Sequence, residues 1–335
     1  MDCLNHRNAL EAGTAGRWAA TGDEEETSMN MGHLHSLVHI TLMAAVLSPG
    51  AEAERGQGIE DVRKVPVRAA YGFTTIDVPG ALTTSAQGVN SAGEIVGSYV
   101  DGSGGHAFLL SSKGAFTTID FPGALRTFGS DISTSGEIAG SYFVQQDGNR
   151  TVHGFLLEKT GHFATIEFPG AIGTSAEGIT PAGEIVGIYT DDDGVDHGYL
   201  LATDATFTTI DFLGTFETQL SGINPAGEIV GSYSEQGGAT LGFVRDRHGN
   251  FMTIDVSGAE AETNANDISA GGEIVGQYQD ANGVDHGFLM TRSGAFFTID
   301  YPGAVTTSLH GINAVGEMVG EYRDQTGLHG FVLKH

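Results

Sequence analysis

Along residues 73–335, apolar and polar positions alternate in short bursts, and one burst order returns six times. Each copy opens on F-T-T-I-D-x-P-G-A and passes to G-I-N-x-x-G-E-I-V-G-x-Y. It then crosses a Gly/Asp-rich stretch and closes on H-G-F-L-L. The first Phe falls at Phe73, Phe116, Phe163, Phe207, Phe251 and Phe296, about 44 residues apart. That period belongs to solenoids and propellers. Within the first full copy the pattern predicts four short strands: a short one at Gly88–Asn90, then Glu94–Tyr99, His106–Leu110 and Phe116–Asp120. Gly, Asn and Asp punctuate them as hairpin turns do. No long stretch carries the 3.6-residue apolar spacing of a helix.

Four strands per unit is the arithmetic of a propeller blade. The expected fold is therefore all-β: a six-bladed β-propeller of four-stranded antiparallel blades. G-I-N would be the inner strand of each, and P-G-A-x-x-T the crossover to the next blade. The strand Phe73–Asp77 has no partners before it, and His329–Leu333 has no F-T-T-I-D after it. Pairing the two closes the sixth blade from both chain ends and removes an open sheet edge. Ile95 and Val96 point to opposite faces and are both apolar, so both faces of a blade should be covered. The glycines that follow, Gly97, Gly140, Gly187, Gly231, Gly276 and Gly320, are expected to let neighbouring sheets approach.

Charge narrows the partners. With 42 acidic and 15 basic residues the formal net charge is −27, which opposes binding to nucleic acid or an anionic membrane surface and favours cations or basic partners. Residues 1–53 stand outside the repeat. Their apolar run Leu37–Leu47, followed by Ala51-Glu52-Ala53, reads as a secretory signal peptide starting at Met29 or Met31 and cleaved after Ala53. An uncleaved anchor or an unstructured extension is the other reading. Residues 54–72 form a polar lead-in. Cys3 and Trp18 both lie upstream of the cleavage point, so the mature chain would hold no disulfide, thiol nucleophile or Cys-based zinc site. An exported monomer without stable membrane insertion is expected.

The combination G-I-N-x-x-G-E-I-V-G with H-G-F-L resembles the bacterial HAF-type extracellular repeat family. Gly222–Gly231 with Gly242-Phe243, and Gly311–Gly320 with His329–Phe331, carry the resemblance, which spans about residues 73–335. Leu241 replaces the His in one copy, and D-I-S (Asp131–Ser133, Asp267–Ser269) replaces G-I-N in two. The resemblance implies an exported β-repeat protein and carries over no catalytic residue.

Three sets of residues are candidates for chemistry. The recurring His106, His153, His197, His286 and His329 would be spread around a ring and could not converge on one metal, so a structural hydrogen-bonding role is expected. The recurring Glu94, Glu137, Glu184, Glu228, Glu273 and Glu317 each open a strand after a turn, and their repetition points to the same conclusion. The third set breaks the symmetry. Asp191, Asp193 and Asp196, and Asp280, Asn282 and Asp285, fit D-x-[D/N]-G-x-D, which resembles part of a calcium loop and also suits an ordinary turn. These loops would share one acidic rim with Asp101, Asp147 and Asp324 and with the strand-ending Asp77, Asp120, Glu167, Asp211, Asp255 and Asp300. The rim reads either as a binding surface or as solubilising charge. No G-x-S-x-G nucleophile elbow or phosphate-cradling loop is present. The leading reading is a binding or scaffold module for an unknown protein or small-molecule ligand, with calcium a candidate. The alternative is a metal-dependent hydrolase or lyase with a cation in the central channel near Asn90, Asp131, Asn224, Asp267 and Asn313. A purely structural surface protein is the third.

Overall fold

The computed structural model describes residues 72–334, apart from 147, 236–237 and 257–258. The signal peptide expected within 1–53 and the lead-in up to residue 71 lie outside the described residues, as does Asp147 of the acidic rim. The described residues form twenty-four β-strands and no helix, so no helix among them is long and apolar enough to cross a membrane.

The strands fall into antiparallel groups of four. After β1 (Gly72–Ile76), the first group holds β2 (Thr83–Val89), β3 (Ile95–Val100), β4 (Gly105–Leu110) and β5 (Phe116–Ile119). The second runs through β6 (Arg126–Ile132), β7 (Ile138–Gln146), β8 (Asn149–Leu157) and β9 (Phe163–Ile166). The third holds β10 (Gly173–Ile179), β11 (Ile185–Thr190), β12 (Asp196–Leu201) and β13 (Phe207–Ile210). The fourth holds β14 (Glu217–Ile223), β15 (Ile229–Ser234), β16 (Thr240–Arg245) and β17 (Phe251–Ile254). The fifth holds β18 (Ala259–Ile268), β19 (Ile274–Asp280), β20 (Asp285–Met290) and β21 (Phe296–Ile299). The sixth holds β22 (Thr306–Ile312), β23 (Met318–Arg323) and β24 (Leu328–Lys334), and its fourth strand is β1: Phe73 lies opposite Leu333 and Ile76 opposite Gly330. Single parallel pairs, Gly105 with Arg126 and Thr240 with Glu262, tie groups one to two and four to five.

The apolar core lies between groups. One buried cluster joins Val96, Ala107 and Ile119 of the first group to Ile132, Ile138, Tyr142 and Phe155 of the second. Another joins Ile76, Val319 and Val332 of the sixth to Ala86, Val89, Ile95, Tyr99 and Phe108 of the first. Ile95 and Val96, adjacent in sequence, thus enter different clusters, as residues on opposite faces of a strand must. Each first strand touches that of the next group, from β2 to β6, β10, β14, β18 and β22, and β22 touches β2.

Two expectations are corrected. The first strand of a group is not the short G-I-N segment but seven residues, Thr83–Val89 in the first group. Its polar T-T-S-A stretch is strand because the Thr is buried and structural. Thr84 Oγ1 accepts from the Val78 N–H at 3.1 Å, and Thr127, Thr174, Thr218 and Thr307 do the same for Phe121, Phe168, Phe212 and Tyr301. The Gly97 series, second, does not serve the approach of neighbouring sheets. A Cβ at Gly97 would overlap the Ser85 carbonyl oxygen of the adjacent strand, where a bulge between Ala86 and Gly88 pushes the backbone in, and would meet the Phe108 ring at 2.9 Å. The crowding lies within one sheet, as a bulge produces.

Candidate binding face

Each second strand ends in the hairpin that carries the variable Asp residues, and each fourth strand ends in an Asp or Glu. The recurring His brings the two together. Its Nδ1 lies 2.8 Å from Asp120 at His106, 3.0 Å from Glu167 at His153, 3.0 Å from Asp211 at His197, 2.9 Å from Asp300 at His286 and 2.9 Å from Asp77 at His329. Its Nε2 reaches back to the hairpin: Ser103 at 3.0 Å, Thr151 at 3.1 Å, Asp191 at 3.3 Å, Asp280 at 3.6 Å and Thr326 at 2.8 Å. The imidazole also stacks on the Tyr of the second strand, as His106 does on Tyr99 at 5.1 Å between centroids. On three of these Tyr rings the crossover aromatic stacks too, with Phe121 3.6 Å from Tyr142 and nearly parallel. The aromatic layer fixes the loops above it.

Ser103, His106 and Asp120 have the order of a hydrolytic triad. The Ser103 hydroxyl is 2.6 Å from Asp101 Oδ1, to which it donates, and 3.0 Å from His106 Nε2. Thr326, His329 and Asp77 repeat the arrangement in another group. A constellation copied around the molecule is a brace for the hairpin.

The loop carboxylates are likewise engaged. Asp191 Oδ1 accepts from the backbone N–H groups of Asp193 and Val195, both at 2.9 Å, and Asp280 Oδ1 does so from Asn282 and Val284 at 2.8 and 2.9 Å. The Val195 bond, foremost, holds Asp191 below its usual range, and the Val284 bond takes Asp280 down to about 2. Asp196 bonds Thr190 and Gln219, and Asp285 accepts from Gln279. Asp193 and Asn282 are exposed. Asp191, Asp196, Asp280 and Asp285 thus spend oxygens on different partners. Among the described residues, no three His, Cys, Asp or Glu groups are placed to hold a metal ion.

His197 is partly buried, which works to lower its pKa, but bonds to Asp211 and Asp191 outweigh this and raise it.

The axial candidates serve another purpose. Asn90 Nδ2 donates to Glu94 at 2.8 Å and to the Ser133 carbonyl of the next group at 3.2 Å. Asn224 likewise reaches Ser269 O, and Asn313 reaches Asn90 O. Where D-I-S replaces G-I-N this amide is missing, and the Asp takes over. Asp131 Oδ2 accepts the Ile179 N–H at 2.9 Å, and Asp267 Oδ2 accepts that of Ile312 at 2.8 Å, each in the following group. Glycine at the equivalent positions makes room: a Cβ at Gly88 would lie 2.8 Å from Asp131 Cα, and one at Gly222 2.8 Å from Asp267 Cα. The recurring Glu receives the Asn amide within its own turn, as at Glu228 and Glu317.

Asp131 and Asp267 keep some solvent contact but are closely surrounded by protein. Burial raises both, and the charge of Asp131 adds to the push on Asp267, which reaches about 8 from an ordinary 3.8. A raised carboxyl contributes stability that is complete below the unfolded pKa and lost as pH rises through the folded value. Stability should therefore fall as pH rises from about 4 to about 8, the interval between the ordinary and the raised value of Asp267. Asp131→Gly/Asp267→Gly should flatten that part of the curve, leaving the His197 part. Urea midpoints measured across this window check it, and unchanged slopes would refute the assignment.

Comparison with protein families and with curated proteins gives no match. Among solved structures, the chain is similar to a catalytically inactive virginiamycin B lyase from Staphylococcus aureus with quinupristin, at 13% identity and TM-score 0.43, covering 79% of this chain and 99% of that one. It is similar to TolB from Acinetobacter baumannii at 13% identity and TM-score 0.49, over 77% and 65% of the two chains. A gluconolactonase from Xanthomonas campestris gives 12% identity and TM-score 0.47, over 76% and 89%. These are loose likenesses, and the architecture described above rests on the strand pairing alone.

Proposed function

We propose that the chain is an exported six-bladed β-propeller, closed by β1 in the last blade, that binds cationic groups through its acidic loop face. Support for the closure is the pairing of β1 with β24 and the return of first-strand contacts from β22 to β2. Support for export is the apolar run Leu37–Leu47 before Ala51-Glu52-Ala53.

The observation that carries the binding reading is the clamped acidic layer. Five His side chains each tie a hairpin to a strand-ending carboxylate. Charge held in place by a rigid aromatic layer needs no reordering when a cation arrives, which favours binding. Asp191, Asp193, Asp196, Asp280, Asn282 and Asp285 are the contact residues of this reading, for calcium or for basic groups of a partner.

Titration with calcium chloride and with a soluble Lys-Ser peptide tests it. Neutralising Asp191, Asp193, Asp196 and Asp285 to Asn should weaken binding of the probe by about tenfold. Changing Glu94, Glu137, Glu184 and Glu273 to Gln, at the other end of the second strands, should leave it unchanged. Equal losses in both sets would show that only net charge matters and would sink the reading.

A further inference from the structure

The acidic face is not uniformly polar. Leu82, Leu125, Ile172, Phe216 and Val305 occupy one position of the repeat, in the crossover to the next first strand, and all are exposed. With Leu213 they make six of the eight large apolar side chains exposed among the described residues, Leu82 at 70% and Leu213 at 90%. Single exposed apolar residues need no explanation. The same exposure at one position in five of six connections does, because solubility alone would select polar tips there.

These tips are fixed. The N–H of Leu82 donates to Val100 O at 2.7 Å, that of Leu125 to Phe143 O at 2.7 Å, that of Ile172 to Thr190 O at 2.9 Å, that of Phe216 to Ser234 O at 2.8 Å and that of Val305 to Arg323 O at 2.7 Å. The accepting residue stands directly before the hairpin, so Asp101, Asp191 and Asp324 follow it in three groups. The hairpin of one group also lies against the tip of the next: a Cβ at Gly104 would be 3.6 Å from Leu125 O, and one at Gly327 3.7 Å from Leu82 O. In these groups hairpin carboxylates and apolar tips therefore sit on adjoining backbone. An open depression of about 240 Å³ samples both, lined by Asp285, Asp300, Tyr301 and Val305 among others.

We propose that this face binds a cationic amphipathic polypeptide, a segment in which Lys or Arg alternates with large aliphatic side chains. The inference rests on the acidic-face reading and adds the apolar half of the partner. Charge selects this occupant: a second copy would bring carboxylates against carboxylates, and an anionic lipid surface would be repelled.

The test uses the full chain in about 150 mM salt, where weak surface attraction is screened. Two synthetic peptides of equal charge are titrated, alternating Lys-Leu and alternating Lys-Ser. Lys-Leu should bind at least about tenfold more tightly. Substituting Leu82→Ser, Leu125→Ser, Ile172→Ser, Phe216→Ser and Val305→Ser together keeps the charge and should abolish that advantage. Hydrogen exchange on the unsubstituted protein should slow at the crossover amides of residues 82, 125, 172, 216 and 305 when Lys-Leu is added, a readout independent of whether the variant folds. Equal affinity for both peptides, or an advantage that survives the five substitutions, would overturn the amphipathic partner while leaving the acidic face standing. Binding of neither peptide would overturn both. Tip-dependent binding to anionic vesicles, or tip-dependent self-association, without Lys-Leu binding would assign the face to a different occupant and overturn the proposal.

Discussion

Replacing Gly276 by Ala should destabilise the protein by more than about 3 kcal/mol, the upper end of what overpacking costs. The added Cβ would overlap the Asn264 carbonyl oxygen and lie 2.8 and 2.9 Å from two atoms of the buried Phe288 ring. No rotamer change relieves a clash with backbone, and Phe288 is 1% exposed, in an interior packed too closely to yield cheaply. Gly283→Ala gives the internal comparison. Gly283 has φ +77° in a hairpin with open space around it, so its cost is conformational and near 1 kcal/mol. Urea midpoints of the two variants should differ widely. Equal midpoints would mean that the bulge facing Gly276 yields easily and that the packing argument fails.

That glycine also illustrates what a sequence exposes. Its recurrence marked a close approach, but the partner was misplaced between sheets, because a bulge in the neighbouring strand leaves no pattern of its own. The strand-rich repeat was legible: short runs such as F-T-T-I and E-I-V-G-x-Y carry β-branched and aromatic residues, and each became a strand. The first strand of a group was read too short because T-T-S-A has neither apolar alternation nor bulk. Its Thr is buried to satisfy a crossover N–H, a three-dimensional reason. The structural role of the recurring His followed from symmetry, and the geometry supplies its partners: a strand-ending carboxylate on one nitrogen and the hairpin on the other.

The departures from the repeat were only partly legible. D-I-S in place of G-I-N was visible, and it placed two carboxyls near the axis. That Asp131 and Asp267 substitute for the Asn bridge to the next group could not be read, because it depends on which backbone N–H lies opposite. The apolar tips were within reach of the sequence: Leu82, Leu125, Ile172 and Val305 each follow P-G-A. Their exposure was hidden, since an apolar residue after a turn usually enters the core.

Loss of β1 should have the largest effect of all. Ile76 is 4% exposed and packs among residues of the first group. Phe73 lies 5.0 Å from Tyr301 and 5.4 Å from Phe331 between ring centroids. Burying these two side chains is worth about 4 kcal/mol. Removal also strips the pairing from Gly72 to Ile76, the Asp77 bond to His329 and the Thr75 bonds to Tyr301 and Tyr322. It bares β24 as an edge beside the apolar Phe331, Val332 and Leu333, an invitation to aggregate. A loss above about 5 kcal/mol is expected.

Strand complementation tests the closure most directly. The unfolding midpoint of a chain starting at Val78 is compared with and without a synthetic peptide of residues 70–78. Closure predicts a midpoint far below that of the longer chain, restored towards it as the peptide saturates, with the peptide bound at one copy per chain. A truncated chain as stable as the longer one, with no peptide bound, would contradict it.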